Sequence, residues 1–143
     1  EKANNLIEEH NIKSAHVKYV DLRDLNNELL KYKYGFLLRR DNLVNNVATP
    51  TKMNSYLACG LIPIFTDAIT DYKDQINLKD FSLRISSDLS IDEIAKKIID
   101  FESSKKNYSD LDIEIKKIFD EYYNDNRYIK EIKAGLKEHL SIK

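Results

Sequence analysis

Apolar residues change their spacing along this chain, and the change divides it. From Tyr34 to Leu38, and again from Leu61 to Phe65, they run almost without interruption. Each run has strand length and is bounded by turn residues, which predicts two buried strands. Between them lie a polar loop, Arg39 to Thr49, and a segment opened by Pro50-Thr51-Lys52, in which Met53, Tyr56 and Leu57 recur at helical spacing before Gly60. Proline just inside a helix start and glycine just past its end mark a short helix. Strand, loop, helix and strand make, most simply, a parallel pair with a right-handed crossover. The loop then sits at the carboxyl end of the first strand, where open α/β sheets bind ligands.

The flanking segments extend this pattern. Ala15 to Val20 alternates apolar and polar residues and ends at Asp21, which predicts a strand and a helix cap. Leu25, Leu29 and Leu30 then mark one helical face up to Tyr32. Glu1 to Asn11, with Ala3, Leu6 and Ile7 clustered, reads as the tail of a helix cut from a longer protein. Ala68 to Leu78 reads as a loop or short helix, and Phe81 to Ile85 alternates like a further short strand. From Ser90 the chain is helical. Ser90-Ile91-Asp92-Glu93 is a capping box followed by an apolar stripe at Ile94, Ile98 and Phe101. A second helix is expected from Ser109 to about Tyr123, with Leu111, Ile115, Ile118 and Phe119 inward, and a last one from Arg127 to Leu140. The expected fold is α/β, a parallel sheet flanked by helices in a single domain spanning residues 1–143.

Composition narrows the chemistry. With 42% hydrophobic and 33% charged residues in 143, the chain has the profile of one globular domain. A net charge of −1 gives no global basic field, so nucleic acid is not an expected partner. One cysteine excludes an internal disulfide, and no secretory signal or membrane-spanning run is visible, so the cytoplasm is the expected compartment. His10, His16 and His139 lie far apart with no ligand spacing, and no metal is expected. Cys59, at a helix end before a buried strand, reads as structural. Tyr108, Tyr122, Tyr123 and Tyr128 read as packing or interface residues. The glycines, at 35, 60 and 135, write neither the dinucleotide nor the P-loop fingerprint.

The central loop carries what remains. Arg39, Arg40 and Lys52 flank a segment whose only acid is Asp41. Free N–H groups at the start of the following helix add partial positive charge, and Thr49 or Thr51 can cap it. Together they suit an anion such as a diphosphate. On composition alone, an exposed polar loop with two solvated arginines is an equally good reading.

The run LLRRDNLVNNVATPTKMNSYLACGLIPI resembles the donor-sugar (C-terminal) lobe of GT-B glycosyltransferases, especially bacterial enzymes of capsule and lipopolysaccharide assembly in the glycosyl transferases group 1 family. In these a strand ending in Leu-Arg leads to a Val-Asn, Val-Ala, Pro-x-Lys loop. A helix reading Glu-Tyr-Leu-Ala-x-Gly follows, then a strand beginning with an aliphatic residue and Pro. The matching positions are Leu38, Arg39, Val44, Asn45, Val47, Ala48, Pro50, Lys52, Tyr56, Leu57, Ala58, Gly60, Pro63 and Ile64. The resemblance covers His16 to Thr66, with the later elements matched only in outline.

It implies a three-layer Rossmann-like sheet, truncated at its N-terminus, with the acceptor lobe and the glycine-rich first strand of the donor lobe outside the chain. It implies a nucleotide-sugar substrate, no tightly bound metal or other cofactor, and a glycan or lipid-linked acceptor, with peripheral association of the full-length protein at the inner face of a membrane. Donor contacts would come from Asn45, Thr51, Lys52, Met53 and Ser55, with Arg39 and Lys52 stabilising the leaving diphosphate. The family's ribose-binding glutamate is Ser55 here. A serine reaches less far and carries no charge, which leaves ribose binding open or shared with Asn54. A non-catalytic α/β module, or degenerate donor lobe, is the competing expectation.

Overall fold

A computed structural model describes residues 2–47, 51–73, 78, 80–104 and 110–140. Three parallel strands in the order β1-β2-β3 form the sheet: β1 (Tyr34–Leu37), β2 (Ile62–Thr66) and β3 (Leu83–Ile85). Tyr34 pairs with Ile62 and Leu37 with Phe65 across β1 and β2, while Ile64 pairs with Leu83 and Thr66 with Ile85 across β2 and β3. Both strands expected around the central helix are therefore present, adjacent and parallel.

The middle strand is buried along its whole length. Pro63 is compatible with that position because of where pairing begins. The Ile62 N–H donates to the Lys33 carbonyl on the β1 side, 2.9 Å away. Successive residues of a strand address opposite edges, so the N–H that Pro63 lacks would have faced the β3 side, where pairing starts only at Ile64.

The crossover helix α4 (Thr51–Ala58) ends as its sequence requires. Gly60 has φ +74°, the left-handed region that L side chains avoid. There its N–H donates to the Leu57 carbonyl at 3.0 Å and that of Leu61 to the Tyr56 carbonyl at 2.9 Å, the paired bonds of a Schellman stop. Met53 and Leu57 are fully buried and meet Leu37, Phe65, Ile69, Tyr72 and Ile115 in the core. Burying a Met or Leu side chain contributes ~1.5–3 kcal/mol.

Helices α6 (Ile91–Ser104) and α7 (Leu111–Ile118) complete the layers. α7 packs on α4 and β2 through the buried Ile115. α6 packs on β3 and reaches the start of β1, where the Tyr34 hydroxyl and the Lys33 ammonium both donate to Glu102. Its capping box is formed: Ser90 N–H donates to Glu93 Oε2 at 2.9 Å and Glu93 N–H to Ser90 Oγ at 3.4 Å. The Ser90 hydroxyl, which donates to Glu93 Oε2 at 2.7 Å, and then the Ser90 N–H hold the Glu93 carboxyl below the usual carboxylate range. Ile94, Ile98 and Phe101 are the half-buried positions of α6, the expected stripe. α7 continues through a π-helical turn, Phe119–Tyr123, and α8 (Asn126–Leu140) follows. The remaining helices are α1 (Lys2–Glu9), α2 (Leu25–Leu29), α3 (Leu43–Val47) and α5 (Thr70–Lys73).

Three expectations are corrected. Residues 15–20 form no strand. Val17 and Tyr19 are 54% and 92% exposed, and without a neighbouring strand to pair their backbone groups, alternation alone does not hold an extended segment in a sheet. Asp21 closes a turn instead of capping α2: its Oδ1 accepts the Arg23 N–H at 2.9 Å, and its carbonyl accepts the Asp24 N–H at 3.0 Å. The expected polar loop after β1 contains α3, whose N-cap is Asn42; its Oδ1 accepts the Asn45 N–H at 2.9 Å. Leu6 of α1 is exposed and Ile7 half-buried. Ala48, Thr49, Pro50, Tyr108 and Ser109 lie outside the described residues, as does the side chain of His139.

Candidate functional site

A crossover helix runs antiparallel to the strands it joins, so the N-terminus of α4 lies at the carboxyl edge of β1 and β2. Three hydrogen-bonded links tie that edge together. Thr66, the last residue of β2 and 3% exposed, both donates its hydroxyl to the Arg39 carbonyl at 2.7 Å and accepts the Arg39 N–H at 3.0 Å. That pair of hydrogen bonds fixes the chain two residues beyond β1 and sets the direction in which Arg39 leaves the sheet. Next, the Tyr72 hydroxyl of α5 donates to Asn54 Oδ1 in the first half of α4 at 3.0 Å. Burial chiefly pushes the Tyr72 hydroxyl up to about 12, and its ring lies tilted by 39° against that of Tyr123 at 5.8 Å between centroids. Finally, the Thr70 hydroxyl donates to the Asn46 carbonyl of α3 at 2.6 Å.

The expected site residues fall along this edge. Arg39 is half-buried, while Arg40 and Lys52 are exposed. Among the described residues no carboxylate forms an ion pair with any of these cations. Asp41 accepts from Asn46 Nδ2 at 2.8 Å. Thr51, Lys52 and Met53 are the opening residues of α4, the stretch in which the backbone N–H groups of a helix lack acceptors within it. Met53 can contribute only that N–H, since its side chain belongs to the core. Ser55 is half-buried. Asn45 is drawn back into its own loop, donating from Nδ2 to the Arg40 carbonyl at 2.8 Å. Asn54, which could have shared ribose binding, has its Oδ1 engaged by Tyr72.

Two residues of the edge escaped the sequence reading. Asp67, half-buried directly after β2, accepts the Ser87 N–H at 2.9 Å, and Asp71 opens α5. Asp67 thereby sits at the carboxyl end of β2, and an acid directly after the apolar run Ile62–Thr66 is the available signal. Asn46 Oδ1 is buried without a hydrogen-bond partner among the described residues. Cys59 is buried, its thiol pushed up by desolvation with Lys116 pulling weakly the other way, and it is a poor nucleophile. Among the described residues no group of His, Cys, Asp or Glu is arranged to hold a metal ion.

Comparison with protein-family models, with curated proteins and with solved structures finds no match to this chain.

Proposed function

We propose that the chain is the donor-binding part of a cytoplasmic glycosyltransferase that moves a sugar from a nucleotide-sugar to a glycan or lipid-linked acceptor in cell-surface polysaccharide assembly. One observation carries the reading: Arg39 just past β1 and Lys52 in the first turn of α4 share the carboxyl edge of a parallel sheet, and neither is ion-paired among the described residues. Cations left unpaired beside the open N–H groups of a helix start suit a diphosphate. As the sugar departs, negative charge accumulates on the nucleoside diphosphate. Donors already oriented there lower the barrier, one well-placed donor being worth ~3 kcal/mol. The acceptor and any general base would be held by a lobe outside this chain.

The test is turnover by the full-length protein with nucleotide-sugar donors. Lys52→Ala and Arg39→Ala should each lower kcat with the fold intact, because both side chains lie outside the core. Unchanged turnover in both variants would refute the assignment.

A second reading is favoured by Ser55 and by Asn54, whose Oδ1 is bound to Tyr72. In it the same fold is a non-catalytic α/β module whose ribose contacts have been lost.

A further inference from the structure

Helix α8 stands apart from the core. From Tyr128 to Lys137 every residue is exposed, and its apolar residues are not scattered. Ile129, Ile132 and Leu136 follow one another at spacings of three and four with Tyr128 beside them, and Ile132 and Leu136 are 60% and 56% exposed. They form one stripe on an amphipathic helix. The charges are sorted as well. Lys130, Lys133 and Lys137 share the same spacing and make a row next to the stripe, whereas Glu131 falls on the far side. With Arg127, the helix carries four basic and two acidic residues, a net +2 in a chain of net −1, so the remainder is −3.

We propose that α8 is a membrane-surface helix that lies in the headgroup region of an anionic bilayer, apolar stripe inward and lysine row against the lipid phosphates. Its length and charge exclude spanning: it has 15 residues, and among the described residues no helix is long and apolar enough to cross a membrane. A high contrast between faces with lysines bordering the apolar one is the pattern of helices that lie on membranes. Pairing with α8 of a second copy is disfavoured by the same residues. With Ile129, Ile132 and Leu136 as seam positions, the next seam residue is His139, and the flanking positions hold Lys133 against Tyr128 and Gly135, which offer no opposite charge. Gly135 also weakens the helix through its backbone freedom, and no close approach calls for it, since a β-carbon there would meet nothing within 4 Å; a short amphipathic helix is stabilised by a surface that takes its apolar face. The proposal does not depend on the nucleotide-sugar reading.

The test is co-sedimentation of the full chain with vesicles of phosphatidylcholine alone and of phosphatidylcholine with phosphatidylglycerol, with size-exclusion chromatography in parallel. The chain should bind only the anionic vesicles and be released by salt. Lys130→Glu with Lys133→Glu should weaken binding more than about tenfold, at about fivefold per lysine. Ile132→Ser with Leu136→Ser should abolish it, and in both variants the circular dichroism of the body should be unchanged because these side chains are exposed. Absence of binding to anionic vesicles, equal binding to neutral ones, or unchanged binding in both variants would overturn the proposal. A dimer dissolved by Ile132→Ser with Leu136→Ser, without vesicle binding, would assign the stripe to a second copy instead.

Discussion

The ring of Tyr56 occupies the space in which a side chain on Gly35 would begin: a β-carbon at position 35 would stand 2.3–2.6 Å from three of its ring carbons. β1 and α4 can approach this closely because residue 35 has no side chain, and the Tyr56 hydroxyl reaches the Phe36 carbonyl at 3.4 Å. The contact sets the distance between the strand that leads to Arg39 and the helix α4. Gly35→Ala should therefore destabilise the fold by ~1–3 kcal/mol through overpacking. Urea unfolding checks this, and in a Tyr56→Ala background the same substitution should cost much less, because the clashing ring is gone.

Gly60 makes a similar prediction from a different cause. Its φ of +74° disfavours any L side chain, and an added β-carbon would meet the Asp112 Cβ and carbonyl at 2.9 Å. Gly60→Ala should lower stability by ~1–3 kcal/mol, read as a fall in the denaturant midpoint with little change in slope.

How much of this was legible in the sequence depends on how local each signal is. The crossover from Tyr34 to Thr66 was readable because continuous apolar runs, a helical repeat and Gly60 report buried strands and a helix stop without reference to distant residues. The Ser90–Glu93 box and the inward faces of α6 and α7 were readable for the same reason. The segment from Ala15 to Val20 was not, since a strand exists only if another strand pairs with it, and no pattern within six residues states that. Asn42 was read as loop because a cap and a turn use the same residue types. At the site, the cations Arg39, Arg40 and Lys52 were visible as composition. The two hydrogen bonds between Thr66 and Arg39, the engagement of Asn54 by Tyr72 and the bond from Ser87 to Asp67 all join residues far apart in sequence.

Thr66→Val tests that pair of hydrogen bonds. The substitution keeps the shape but strands the Arg39 N–H and carbonyl at a partly buried position, which should cost ~1–3 kcal/mol. Hydrogen exchange should show the Arg39 amide losing protection in Thr66→Val while those of β2 retain it.

Acid should act through Glu28. Lys18 first, then Lys31 and the Tyr32 hydroxyl, hold its carboxyl down at about 2 from an ordinary 4.5. A carboxyl depressed in the folded state contributes stability above its unfolded value and loses it as pH falls towards the folded one. The difference in thermal midpoint between the wild type and Glu28→Gln should accordingly be largest above pH ~4.5 and shrink as pH falls towards ~2. A difference that is constant across this range would remove Glu28 from the account.

Ser55→Glu introduces on α4 the glutamate carried at this position by the glycosyltransferases that the sequence resembles. If Ser55 occupies the ribose position, the carboxylate should tighten uridine or guanosine diphosphate binding by ~1.5–3 kcal/mol at best, and less where water competes.

The most direct measurement is calorimetric titration of the full-length protein with nucleoside diphosphates, comparing wild type, Lys52→Ala and Ser55→Glu, with the fold of each verified. The account predicts that the wild type binds, that Lys52→Ala binds more weakly, and that Ser55→Glu binds more tightly. An absence of binding in both wild type and Ser55→Glu would contradict it and leave the non-catalytic module as the reading.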